Sequence, residues 1–259
     1  MSTIISSITR QGAFEPFDLQ VSRGQIQGHR NVTVFGFNPD VDQTQVSVWP
    51  LPSLITFPAS ALQMTVSSTS ANDTAAGTGA RTVVVQGLDA NYNEVTETVT
   101  LNGQTAVTMT ASLLRINYAY VVTAGSANGA VGNIYIGTGT VTAGVPATIY
   151  DIIKLDYNNT TTGSYTIPAG YTAYLSQGLF STGQASGSTQ VEGRLLTRGV
   201  NNIRMTAAIT TLNNGVADYV FEYPLAIPEK TTVEATAIAS ANNNAVSSMF
   251  ILLLVKEGP

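Results

Sequence analysis

Apolar and polar side chains alternate with period two along Glu94–Leu101. Val95, Val99 and Leu101 share one face, and Thr96, Thr98 and Thr100 the other. That is the side-chain period of a half-buried strand. The β-branched run Arg81–Gln86, centred on Val83, Val84 and Val85, predicts a strand before it, and Leu114–Thr123 predicts one after it. Asp89-Ala90-Asn91-Tyr92-Asn93 reads as the turn between the first two, because Asn and Asp tolerate a left-handed backbone and bond their own main chain. Asn102-Gly103 has the composition of a type I′ hairpin turn. The expected unit is an antiparallel meander.

The same signals recur on both sides of it. Met1–Asp42 reads as an N-terminal arm leading into a first strand, Asn31–Phe37. Phe14 and Phe17 flank Pro16 there as anchors, against the arm's own domain or a neighbouring subunit. Val46 and Val48 share a face beside Trp49, Leu62–Ser67 alternates, and the small polar stretch Ser68–Ala80 is a loop. Beyond Tyr150–Asp156, strands are expected at Tyr171–Gln177, Val191–Arg198, Ile203–Leu212 (a short helix is the alternative) and Asp218–Tyr223. Thr232–Ile238 is expected to pair with Val246–Val255 across an Asn-rich tip, and Phe250–Val255 suits a strand buried on both faces. Strands every 8–12 residues or so, separated by turn signals, predict an all-β fold. We expect two antiparallel β-sandwich or jelly-roll-like domains, residues 43–149 and 150–259, behind the arm of residues 1–42.

Charge alters this picture more than size does. Charged residues make up only 10% of the chain, against roughly 25% in an ordinary soluble domain. The surface must therefore be built from Thr, Ser, Asn, Gln and Gly. Lys and Arg number 11 against 16 Asp and Glu, a net charge of −5, and the cations are scattered singly. That argues against a nucleic-acid groove, which needs clustered cations. No apolar run approaches the ~20 residues of a membrane helix, so no membrane association is expected. The first residues lack the basic and apolar regions of a secretory signal. The absence of cysteine fits a chain folded in a reducing cytosol.

Candidate chemistry is sparse. His29 is the single histidine, so any Ser-His-Asp or Cys-His mechanism would have to use it, and no nucleophile elbow accompanies it. Asp89-x-Asn91-x-Asn93 has the oxygen spacing that opens a calcium loop. It departs from that loop at Glu94, where Gly is required, and at Thr100, where the bidentate Glu belongs. Glu94 and Glu97 are odd-spaced on one strand and point to opposite faces, so they cannot form a glycosidase pair. Tyr118 and Tyr120 share a strand face, which suits a core or subunit interface better than a sugar platform. No catalytic residue, cofactor or metal is expected. The residues assigned to contacts are Phe14, Phe17, Arg23, Arg30, Tyr118, Tyr120 and Phe250.

The wording of Ser68–Leu101 resembles a segment common in virion structural proteins of tailed bacteriophages, especially marine and cyanobacterial podophage-like ones. The loop Asp73–Arg81, Gly87-Leu88-Asp89, Glu97-Thr98-Val99 and Leu101-Asn102-Gly103 carry the likeness. Arg115-Ile116-Asn117, Ala124-Gly125-Ser126 and the later Ile227–Thr231 continue it. The resemblance implies sandwich or jelly-roll domains, homo-oligomers (often trimers) and no cofactor. The function expected is that of a non-enzymatic capsid decoration, cement or knob protein, assembled in the host cytoplasm and located in the virion. Its partners would be its own copies and the major capsid protein or tail components. The alternative is a tail or neck fibre module that binds a host receptor or glycan.

Overall fold

A computed structural model describes residues 15–183 and 189–258. Helix α1 (Phe17–Ser22) precedes β1 (His29–Val41) and the two-residue β2 (Val46–Ser47). Next come β3 (Leu62–Ser68), β4 (Ala80–Leu88), β5 (Glu94–Thr100), β6 (Val107–Leu113), β7 (Arg115–Ala124), β8 (Ile134–Thr142) and β9 (Val145–Ile153). The last seven strands are β10 (Ser164–Thr166), β11 (Tyr171–Gly183), β12 (Val191–Arg198), β13 (Arg204–Leu212), β14 (Gly215–Ile227), β15 (Thr232–Ala239) and β16 (Asn244–Lys256).

The protein is all-β, with four small antiparallel sheets. Sheet I has the order β1-β16-β11-β14, and sheet II the order β10-β15-β12-β13 with β2 beside β15. Sheet III runs β6-β3-β8-β9 and sheet IV β5-β4-β7. Sheets I and II share one buried cluster that includes Val34, Leu175, Phe180, Leu195, Phe250 and Leu252. Sheets III and IV share another, around Met64, Val83, Val85, Met109 and Ile136. Each such side chain, fully buried, contributes about 1.5–3 kcal/mol. Trp49 and Ile55 pack with Tyr135 and Ile152 in a third, smaller cluster.

Sequence neighbours often do not pair. Asn102-Gly103 does not close a hairpin: β5 pairs with β4 in sheet IV, whereas β6 pairs with β3 in sheet III. Only Gly103 there has a positive φ. The expected meander is therefore corrected, because β4 sits centrally with β5 on one side and β7 on the other. The expected pairing of Thr232–Ile238 with Val246–Val255 is corrected as well, since β15 lies in sheet II and β16 in sheet I. An Asn- or Gly-rich turn serves equally to fold a strand back beside its neighbour or across to the facing sheet. Burial decides which, because each sheet must cover the other's apolar face. The two-residue hairpin turn is Ala143-Gly144, both at positive φ, between the paired β8 and β9. Of Ile203–Leu212, Arg204–Leu212 is strand and not helix. In Phe250–Val255 one face is fully buried and the other half-buried, because β16 is interior to sheet I.

Carboxylates act as main-chain clamps. Asp73, fully buried, organises the loop before β4. Its Oδ1 accepts the amides of Ala80 (2.7 Å) and Val131 (3.0 Å), and its Oδ2 the Ser68 hydroxyl (2.6 Å). Gly79 packs so close to it that a Cβ would stand 2.1 Å from that Oδ1. Glu97 accepts the amides of Thr110 and Ala111, both at 2.8 Å, and so ties the edge of sheet IV to the edge of sheet III.

Residues 154–163 lace the two sheet pairs together. The Val121 amide donates to Asn158 O (2.8 Å) and the Thr160 amide to Ala119 O (2.9 Å) on one side. On the other, the Phe37 amide donates to Thr161 O (3.0 Å), the Gly163 amide to Val48 O (3.0 Å) and the Ala235 amide to Gly163 O (2.7 Å). Beside this segment lies Asp151, whose Oδ1 accepts from the Thr162 hydroxyl (2.6 Å) and the Ile152 amide (2.9 Å).

Two outcomes are expected. Asp73→Ala leaves three donors, two of them buried, without this acceptor and, at about 1.5–3 kcal/mol per bond to a charged group, should cost about 3 kcal/mol or more in urea unfolding. An unchanged midpoint would refute the clamp. Burial raises the Asp151 carboxyl from 3.8 to about 7, against the bonds from Thr162 and Ile152 that lower it. The folded state then holds a proton that the unfolded chain has released. This stability is fully present below about pH 4 and lost as pH rises towards 7, by at most about 1.4 kcal/mol per unit. Asp151→Asn keeps the Oδ1 acceptor, so it should gain on the wild type between pH 4 and 7. Parallel stability profiles for the two proteins would refute the assignment.

Candidate interaction surfaces

The residues picked out from the sequence scatter across the molecule. Phe14 lies outside the described residues. Phe17 is exposed on α1, edge-on to His29 with ring centroids 6.0 Å apart. Arg23 is ion-paired to Glu15, and Arg30 to Glu94. Arg30 also lies 5.0 Å from the centre of the Tyr171 ring. Tyr118 and Tyr120 share the outer face of sheet IV, with ring centroids 5.5 Å apart. Phe250 belongs to the core rather than to any surface, since period two turns it inward and it is fully buried.

The Asp89 carboxylate is occupied by its own turn. Oδ1 accepts the amides of Asn91 (2.8 Å) and Asn93 (2.9 Å), and Oδ2 the Asn93 side chain (3.2 Å). Among the described residues no group of three His, Cys, Asp or Glu is placed to hold a metal ion.

Two surfaces stand out instead. The first was missed in the sequence. Of fifteen well-exposed large apolar side chains among the described residues, eight fall between Val200 and Leu225. They are carried by β13, an edge of sheet II, by β14, an edge of sheet I, and by the turn before β13. These strands follow one another through Asn213-Asn214-Gly215 yet do not pair. Tyr219 reaches across to donate to Ile209 O (3.0 Å). Val220 is 74% exposed and Tyr223 84%. A bulge sets Tyr223 out of the ladder, because Val220 opposes Gln177 and Leu225 opposes Leu175. Between the two edges runs a groove of about 500 Å³ lined by Ile203, Met205, Leu225 and Pro228. Arg204, between the lining residues Ile203 and Met205 in sequence, is already held by Glu234 (2.6 Å). The available signal was Met205, Val216 and Val220 standing on strands whose other face already carried the inward residues.

The second surface is a cleft of about 480 Å³ between β1 and the outer face of sheet IV, lined among others by Thr33, Phe35, Gln86, Thr96 and Tyr118. Its walls are fixed. Asn117 donates to Thr166 O (2.9 Å) and accepts the Thr166 amide (2.9 Å), which bolts β7 to β10. Burial pushes the Tyr165 phenol at its base up to about 12, against the nearby Arg30.

A buried ionic cluster lies in the same junction. Glu234, fully buried, accepts two bonds from Arg198 Nη2 (2.8 and 2.7 Å) as well as the one from Arg204. Arg198 and Arg115 lie 4.8 and 4.6 Å from the centre of the Phe57 ring, so β12 and β7 meet on one aromatic side chain. Burial lowers the Arg115 pKa, against Tyr92 and with Arg198. The group is packed within the fold and has the character of a bolt, not of a reactive centre.

No family model matches the chain, and no curated protein matches it in sequence. Among solved structures it is weakly similar to the VP2 subviral particle of infectious bursal disease virus, at 12% identity over 89% of this chain and 71% of that one, with a TM-score of 0.24. T=1 particles derived from the same virus give 10% identity, 90% and 75% coverage and a TM-score of 0.21. Its Gx strain gives 9%, 89%, 76% and 0.23. At these scores the likeness assigns neither fold nor function.

Proposed function

We propose that this chain is a non-enzymatic virion structural protein of a tailed phage, a homo-oligomeric capsid decoration or cement protein with a trimer favoured. The observation that carries the reading is the apolar surface of β13 and β14. Its eight large apolar side chains are 39–84% exposed. A stable interface takes about 800 Å² from each partner, and large exposed apolar patches on soluble proteins mark contact sites. We further read the two sheet pairs, each closed on its own core, as two sandwiches. In this reading the β13–β14 surface joins copies of the chain, and other faces meet the major capsid protein or tail components. Its place is the virion, assembled in the host cytoplasm, with no nucleic acid, membrane or cofactor involved.

The test is assembly. The purified chain is expected to be oligomeric by light scattering at micromolar concentration and to copurify with intact particles in fixed copy number. Met205→Lys combined with Val220→Lys, both on exposed positions, should yield a folded monomer. A wild-type monomer, or an oligomer indifferent to both lysines, would overturn the interface. Absence from purified particles would overturn the virion role.

A further inference from the structure

Six consecutive residues of β1, Arg30–Phe35, form one wall of the cleft. β1 is an edge strand, with β16 on one side only. In an antiparallel pair the main-chain groups of alternate residues point towards the partner and away from it. The Phe37 amide donates to Thr161 O, so the odd-numbered residues of β1 turn their groups away from β16. The register is unbroken from His29 to Asn38. Asn31, Thr33 and Phe35 therefore aim their N–H and C=O groups into the cleft. All three residues are exposed, and no described residue bonds those groups.

Natural sheets close such edges with lysine, proline or a bulge. None of these occurs over Asn31–Phe35. Arg30 at one end is drawn off to Glu94. At the other end the edge is closed by Thr161, and Pro39 and a bulge follow only beyond Asn38. The open edge is thus five residues long, about 17 Å of strand, and bounded at both ends.

We propose that this cleft is a strand-addition site: it takes an extended, uncharged, β-branched segment of another polypeptide, which pairs with Asn31, Thr33 and Phe35. Main-chain bonds supply the affinity and the facing walls the selectivity. Alternate side chains of the incoming segment meet Phe35 on one side and Gln86, Thr96 and Tyr118 on the other. The ion pair Arg30–Glu94 is already neutral, so a charged segment would lose solvation and find no partner. A neutral sugar could stack on Tyr118 and bond Gln86, but it has no use for main-chain groups repeating every second residue. The row of groups favours polypeptide.

A capped peptide of the chain's own residues 2–9, Ser-Thr-Ile-Ile-Ser-Ser-Ile-Thr, has the required chemistry and serves as the probe. Added to the full chain, it is expected to slow amide exchange at Asn31, Thr33 and Phe35 while leaving Val32 and Val34, already paired with β16, unchanged. Thr33→Pro removes one cleft-facing N–H without touching the β16 ladder, as edge prolines do, and should weaken binding at least tenfold. Gln86→Trp fills the facing wall without altering β1 and should do the same, which keeps the test decisive if the proline variant fails to fold. No protection at about 1 mM peptide, the weak end of specific binding, would overturn the proposal. So would unchanged affinity in a folded variant, or maltotriose shifting the Tyr118 and Gln86 signals where the peptide does not.

Discussion

The strand that opens the sheets is held by the strand that ends them. β1 pairs with β16 along its length, and the bond from Asn244 Nδ2 to Val41 O spans 203 residues of sequence. Sheet I cannot form until β1 and β16 are both present, and β16 is one of its two interior strands. Such long-range pairing makes folding slow, because loop closure must precede the contacts that reward it. Sheets III and IV escape this constraint, since every strand in them comes from Leu62–Ile153. The order of strands in sheet I also decides what the surface offers. β16 and β11 are covered on both sides, which leaves β1 and β14 as the edges. One edge lines the cleft, and the other shares the exposed apolar side chains with β13 of sheet II.

Carboxylates show how a chain with so few charges spends them. Asp73, Asp89, Glu97 and Asp151 accept main-chain amides within turns or between sheets. Glu229 does the same for Gly170 at 2.6 Å. Glu234 gathers Arg198 and Arg204. Scarce carboxyl groups are thus placed where loops must be fixed, and the outward face of sheet IV carries Thr82, Thr96, Thr98 and Thr100 beside Gln86, Tyr118 and Tyr120, with Glu94 at its end held by Arg30. Side chains of this kind hydrogen-bond a neighbour without imposing a single-sign field on it.

Local structure was legible in the sequence because it is written in local chemistry. The alternation of Glu94–Leu101, the Asp89–Asn93 turn and the small residues of Ser68–Ala80 each reappear where residue type predicts them. Partnership was not legible. Asn102-Gly103, Asn213-Asn214-Gly215 and Ala239–Asn244 look like hairpin turns, yet each carries the chain from one sheet to another. A turn signal encodes reversal of direction and not the plane in which the chain reverses. Phe250 was misjudged for a related reason. An apolar run such as Phe250–Val255 carries no mark of which parity points inward until its neighbours β1 and β11 are in place. The cleft was beyond reach altogether, since its walls lie far apart in sequence and are joined by residues 154–163, by Arg30–Glu94 and by Asn117–Thr166.

Stability and association draw on the same features here. An edge strand left open costs little while its groups bond water, but it stays available to any extended segment. The apolar side chains from Val200 to Leu225 cost solvation for as long as they remain uncovered. Proline at 224 and the bulge around Tyr223 interrupt β14 as a template for strand pairing, while β1 carries no such interruption between Asn31 and Phe35. The two edges of sheet I are therefore specialised. β14 offers side-chain burial and resists ladder growth, whereas β1 offers a short, bounded ladder. A chain that blunts one edge and leaves the other open has its contacts set by geometry.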